Sequence, residues 1–150
     1  MFRLAILAVA LSFVLPATAQ AQGDRPAPAP LPSVTLPPEL DRVLRDYERE
    51  WQGKLARGLA ALFTEDGFVL QPGRLPVRGR AGLTEVYAGA GGGLSLRALA
   101  FAAADTVGYI IGAYAPERGA PDIGKFILAL RREPGKPWKI AADMDNGNRR

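Results

Sequence analysis

The stretch Tyr87-Ala88-Gly89-Ala90-Gly91-Gly92-Gly93-Leu94-Ser95-Leu96 separates two kinds of pattern. Before it, apolar residues recur with the period of a helix. Leu40, Val43, Leu44, Tyr47 and Trp51 fall at i, i+3, i+4, i+7 and i+11, and Leu55, Leu59, Leu62 and Phe63 form a second stripe. After it the period becomes two. Leu94 to Ala104, Thr106 to Ala115, Ile123 to Arg132 and Trp138 to Asp145 read as strands, separated by turn signals at Asp105, Pro116 to Pro121 and Pro134-Gly135. Connections of hairpin length make these an antiparallel meander. Helices first and strands later predict an α+β domain with the helices on one face of the sheet.

Working back from the glycines, Gly79 opens a third helix whose Leu83, Val86, Tyr87 and Ala90 share one face. Phe68 to Gln71 and Leu75 to Arg78 read as two short strands about a Pro72-Gly73 turn. Thr64-Glu65-Asp66-Gly67 is expected to be the turn that ends the second helix, with Asp66 bonding backbone N–H groups. Gly53 interrupts the first two helices. At the start of the first, Pro37 and Pro38 suit the opening turn, and Glu39 and Asp41 complement its dipole.

Residues 1–21 have the pattern of a signal peptide. Arg3 supplies the positive end, Leu4 to Leu15 an apolar run, Pro16 a break, and Ala17-Thr18-Ala19-Gln20-Ala21 two small-x-small sites, with cleavage expected after Ala21 and Ala19 as second choice. About 12 apolar residues fall short of the roughly 20 that span a bilayer, so the reading is export to the periplasm or medium without a membrane span in the mature chain. No cysteine follows the signal, which excludes a lipoprotein anchor. Residues 22–38, with prolines at 26, 28, 30, 32, 37 and 38, read as an extended tether. The folded domain is expected over 39–147 and a tail over 148–150.

Composition narrows the chemistry. The 150 residues contain no cysteine and no histidine, which removes zinc and iron–sulfur sites, thiol nucleophiles and every Ser/His or Cys/His dyad. No metal and no cofactor is expected. Nineteen basic residues against 15 acidic ones leave a charge of +4, and the basic residues never run beyond two, so nucleic acid is not an expected partner. Acid–base chemistry falls to Asp, Glu, Tyr, Lys or Arg. Gly89 to Gly93 follows a helix and lacks the spacing of a phosphate loop. Asp143-x-Asp145-Asn146-Gly147 has its glycine one residue too early for a calcium loop.

Several motifs in order carry a resemblance: Tyr47-x3-Trp51, Leu59-x2-Leu62-Phe63-Thr64-Glu65-Asp66, Pro72-Gly73, Val77-Arg78-Gly79-Arg80, and Trp138-Lys139-Ile140-Ala141-Ala142-Asp143-Met144-Asp145-Asn146. Over about Leu40 to Asn146 the chain resembles the SnoaL-like domains of the nuclear transport factor 2-like superfamily, to which ketosteroid isomerase belongs. The resemblance implies a cone, a curved antiparallel sheet wrapped around three N-terminal helices, with a pocket between them and frequent dimerisation. It implies that Tyr47 stands at the isomerase's oxyanion tyrosine and Tyr87 at its supporting tyrosine. The general base is replaced by Gln71, whose amide takes no proton at neutral pH, and the second oxyanion acid falls at Gly124. Isomerase activity is therefore disfavoured, and histidine-based dehydratases are excluded by composition.

Regular alternation along Trp138 to Asp145 puts Trp138, Ile140, Ala142 and Met144 on one face and Lys139, Ala141, Asp143 and Asp145 on the other. If the second face lines the pocket, Asp143 acts as base or anchors a polar ligand; otherwise it is an exposed strand end or pairs with an arginine. Tyr47, Trp51 and Tyr87 lie on apolar helix stripes, where they serve as core or as pocket wall. Gln71 can donate and accept toward a carbonyl or hydroxyl. The expected ligand residues are Tyr47, Trp51, Gln71, Tyr87 and Asp143, with Asp143 and Tyr47 as catalytic candidates.

Three functions follow as expectations: an exported domain that binds a small apolar or amphipathic molecule; a lyase, isomerase or hydrolase using Asp143 and Tyr47 on a hydrophobic hydroxyl- or carbonyl-bearing substrate; or a protein-interaction module using the outer sheet face. Both faces of the long strands are apolar, as with Phe126, Leu128 and Leu130 against Ile123, Ile127 and Ala129. A sheet covered on one side only alternates more cleanly, so a homodimer through that face is expected.

Overall fold

Pro38 sits in the first turn of helix α1 (Pro38–Gln52), where its missing N–H costs nothing, and Glu39, Asp41 and Arg49 complement the helix dipole at either end. The computed structural model describes residues 29–148; the signal peptide, its cleavage after Ala21 and Arg149-Arg150 lie outside the described residues. The chain divides after Pro30, and the helices and strands belong to the unit from Leu31 onward.

Helix α1 buries Leu40, Val43, Leu44 and Tyr47, the stripe expected from the sequence. Helix α2 (Ala56–Leu62) buries Leu59 and Ala60 and passes directly into strand β1 (Phe63–Leu70). The expected turn at Thr64 to Gly67 is instead part of this strand. It bulges between the pairs Phe63–Ile140 and Phe68–Ala142, and Gly67 lies so close to Phe63 that an added Cβ would sit 3.0 Å from the phenylalanine Cβ. Strand β2 (Val77–Arg78) pairs with β1, and helix α3 (Arg80–Val86) follows, ending at Tyr87 rather than Ala90. Gly79, before α3, has φ of 83°, a conformation that only glycine adopts without strain.

Strands β3 (Ser95–Ala103), β4 (Val107–Ala115), β5 (Gly124–Arg131) and β6 (Lys139–Gly147) form the antiparallel meander. The sheet order is β2-β1-β6-β5-β4-β3. Strand β6 returns beside β1 in parallel, which makes the six-stranded sheet mixed. The architecture is an α+β cone: Leu96, Ile110, Leu128 and Ile140 of the sheet pack on Leu40, Leu44, Leu59 and Leu83 of the helices. Full burial of each such side chain contributes roughly 1.5–3 kcal/mol.

Two local features position the pocket. In β6, Ala141 is the extra residue of a bulge, because Ala129 pairs with Ala142 while Leu130 pairs with Ile140. A single extra residue shifts the side-chain parity by one. Regular alternation would put Asp143 opposite Ile140; instead Ile140 and Asp143 are both buried and Met144 is exposed. At the other edge, part of the proline-rich stretch is docked. Val34 N donates to Ala98 O at 2.9 Å, the Arg97 guanidinium donates to Leu31 O and Ser33 Oγ, and Leu36 packs against the core.

Candidate functional site

Tyr47 and Trp51 are one helical turn apart on α1, so both rings leave the helix on the same side. Tyr87 closes the end of α3, and Asp143 enters from β6 through the Ala141 bulge. The Tyr47 hydroxyl donates to Asp143 Oδ2 at 3.0 Å and lies 3.2 Å from the Tyr87 hydroxyl. A phenol has one proton to give. While Tyr47 donates that proton's hydrogen bond to ionised Asp143, Tyr87 is the donor to Tyr47, and the order is Tyr87 to Tyr47 to Asp143. The Trp51 ring stacks on Tyr47 at 6.4 Å and meets Tyr87 edge-on at 6.3 Å, fixing both phenols.

These groups border a cavity of about 190 Å³. Val69, Leu94, Leu96 and Leu128 give it aliphatic walls, and Tyr114 and Phe126 extend the aromatic surface. Two glycines make room for those rings. A Cβ at Gly124 would lie 2.1 Å from the Tyr114 ring, and one at Gly112 would lie 2.2 Å from Phe126. The position where the resemblance puts a second acid is thus covered by Tyr114. Gln71, just past β1, lines the same cavity.

All five sequence-derived ligand residues, Tyr47, Trp51, Gln71, Tyr87 and Asp143, border this one cavity. Asp66 does not. Its carboxylate accepts from Arg131 at 2.6 Å and faces Arg78 at 3.7 Å, so it ties β1 to β5 and β2 rather than closing a turn. Sequence reasoning missed Asp145 and Tyr114, which also line the cavity. Asp145 shares the parity of Asp143, and Tyr114 pairs across the sheet with Gly124. An aromatic residue opposite a glycine was the available signal.

Burial decides the electrostatics. Asp143 is 5% exposed, and desolvation raises its carboxyl to about 7; the Tyr47 hydrogen bond pulls it down and the Asp145 charge pushes it up. Near neutral pH it can give or accept a proton. Tyr47 and Tyr87 are raised well above an ordinary phenol, by burial first and then by the Asp143 charge, so both stay protonated donors. Burial also raises Asp145, against the effect of the Tyr114 hydroxyl. Among the described residues no group of three or more His, Cys, Asp or Glu side chains could hold a metal ion.

No protein-family model matches the chain, and no curated protein matches it. Solved structures do. A ketosteroid isomerase-like protein from Erwinia carotovora atroseptica superposes with a TM-score of 0.60 at 17% identity, covering 73% of this chain and 94% of that one. An NTF2-like protein of unknown function from Shewanella oneidensis gives 0.58 at 14% identity, covering 71% and 95%. The fold is nuclear transport factor 2-like. An NTF2-like protein with a cystatin-like fold from Novosphingobium aromaticivorans gives 0.52 at 13% identity over 71% of this chain and 78% of that one. The NTF2-like fold sets helices against a curved sheet and leaves the cavity between them, which is where Tyr47 and Asp143 meet; what the cavity does depends on its side chains.

Proposed function

We propose that this is an exported SnoaL-like domain that binds a small amphipathic molecule in the cone. The observation that carries the reading is a buried carboxylate with a tyrosine donor beside an aliphatic and aromatic cavity. Apolar walls take the hydrophobic part of the ligand, while Asp143, Tyr47 and Gln71 orient its polar part. Native mass spectrometry of protein taken from its own compartment tests this. A retained small molecule, lost in Asp143→Asn, is expected; a cavity that stays empty and takes up no amphipathic probe overturns it.

A second reading is favoured by the carboxyl of Asp143, raised to about 7. Such a group serves as a general acid or base, and Tyr47 beside it can donate to an oxygen that gains negative charge. The reaction would be a lyase, isomerase or hydrolase step on a hydrophobic hydroxyl- or carbonyl-bearing substrate. A rate that inflects near pH 7, vanishes in Asp143→Asn and weakens in Tyr47→Phe is expected. Ketosteroid isomerisation is disfavoured, because Gln71 stands where the resemblance puts the base.

The outer sheet face supports a homodimer. Cross-strand rows Ala100–Ile111–Ile127–Met144 and Ala102–Tyr109–Ala129–Ala142 run over it, and Tyr109, Ile127 and Met144 are 41, 47 and 51% exposed. A second copy would cover them; a different protein partner on the same face is the interaction-module alternative. Among the described residues no helix is long and apolar enough to cross a membrane. Export, with cleavage near Ala21 and a domain over 39–147, is part of the proposal and is checked by N-terminal sequencing of the mature chain.

A further inference from the structure

The chain is basic as a whole, with 19 Lys and Arg against 15 Asp and Glu, yet its cavity has the opposite sign. Asp143 and Asp145 both line it, and among the described residues no lysine or arginine does. Asp143 pairs across the sheet with Leu128 and Asp145 with Phe126, so both carboxylates project from the inner face of β6. Several acids elsewhere are ion-paired, among them Asp122 with Arg97, Asp66 with Arg131 and Glu39 with Arg132. Asp143 has only the Tyr47 hydroxyl as a side-chain donor among the described hydrogen bonds.

The rest of the cavity is rich in π-faces. Tyr47, Trp51, Tyr87, Tyr114 and Phe126 all contribute to its wall. Aromatic faces attract cations through the ring quadrupole, tryptophan most strongly, and the attraction grows when water is excluded. A buried carboxylate without a cationic partner is costly. Carboxylates and aromatic faces favour the same class of ligand: a neutral hydroxyl can hydrogen-bond the carboxylate, but it supplies neither the countercharge nor a cation for the rings.

Resting on the small-molecule reading above, we infer that the ligand of this cavity carries a cationic nitrogen, an ammonium or protonated amine, seated against Asp143 and Asp145 and enclosed by the aromatic rings. The titratable groups that face Asp143 are Tyr47 of α1, Tyr87 at the end of α3, Tyr114 of β4 and Asp145 of β6. Strand β5 offers only Phe126 and Leu128, and the β1 end offers Val69 and the neutral Gln71. Asp143, raised to about 7, changes charge between pH 5 and 8, while burial keeps the three tyrosines protonated there and also raises Asp145. Cation binding therefore displaces the proton of Asp143 into solvent and strengthens as pH rises.

The test compares choline with its neutral isostere 3,3-dimethylbutan-1-ol on the intact domain, by calorimetry and by shifts of the tryptophan and tyrosine resonances. Choline is expected to bind at least tenfold more tightly at pH 8, with the preference shrinking at pH 5.5. Asp143→Asn should abolish the preference. Asp145→Asn, at a half-buried position, should reduce it and serves if the first variant does not fold. Equal binding, or tighter binding of the alcohol, at pH 8 overturns the cationic inference and leaves the amphipathic pocket standing. Failure of both probes to shift any cavity resonance at millimolar concentration overturns both.

Discussion

The Tyr47 hydroxyl and Asp143 Oδ2, 96 residues apart in the chain, meet at 3.0 Å. The bond joins the first helix to the last strand and favours the ionised carboxylate, while burial favours the protonated one. Burial wins, since the carboxyl is raised to about 7. In the unfolded chain Asp143 releases its proton near 3.9. Between those values the folded protein holds more protons, so this contribution to stability is fully present below about pH 4 and is lost as pH rises through 7. Chemical denaturation across that range should show unfolding free energy falling by about 2–4 kcal/mol. In Asp143→Asn most of the fall should vanish; parallel curves for the two proteins would show that Asp143 has an ordinary pKa.

Gly124 has no side chain because the Tyr114 ring covers it. Gly124→Ala places a Cβ about 2.1 Å from that ring, and the ring must turn toward the cavity. A cost of about 1–3 kcal/mol is expected. Tyr114→Ala in the same chain should relieve most of it, and additive losses in a double-mutant cycle of thermal melts would contradict the contact.

Ile127 projects outward from the middle of β5, flanked by Ile111 and Met144. Ile127→Glu should convert a dimer at micromolar concentration to a monomer in equilibrium sedimentation, with an unchanged far-UV spectrum. A wild-type protein that is monomeric under those conditions refutes the homodimer.

Arg97 is the clamp on the N-terminal segment: it holds Leu31 O and Ser33 Oγ, and its guanidinium is itself paired with Asp122. Arg97→Ala should speed hydrogen exchange at the Val34 amide, whose partner is Ala98 O, while the amides of β5 keep their protection. Exchange at Val34 unchanged by the substitution would mean that the backbone bond and Leu36 hold the segment without Arg97.

Local periodicity made much of the site legible. Tyr47 and Trp51 share a helix face because of their spacing of four, and the glycines at 91–93 end the helical half wherever the rest of the chain lies. Asp143 was legible as a residue type but not as a direction. Its inward aim depends on the bulge at Ala141, and alanine carries no sign that it will be the unpaired residue. The stretch Thr64 to Gly67 reads as a turn by composition, yet β6 arrives in parallel beside it and draws it into the sheet. Asp66 then meets Arg131, 65 residues away, instead of neighbouring amides.

By itself, the sequence determined the order of helices and strands, the absence of histidine and cysteine chemistry, and the aromatic character of the first helix's buried face. These are local or compositional properties, set by spacing and side-chain type. Tertiary structure alone decided that Asp143 and Asp145 face inward, that Tyr114 lies over Gly124, and that among the described residues the cavity is lined by acids without a lysine or arginine. Those depend on register across strands, where one added residue reverses every side chain beyond it, and on burial, which comes only when distant segments pack together.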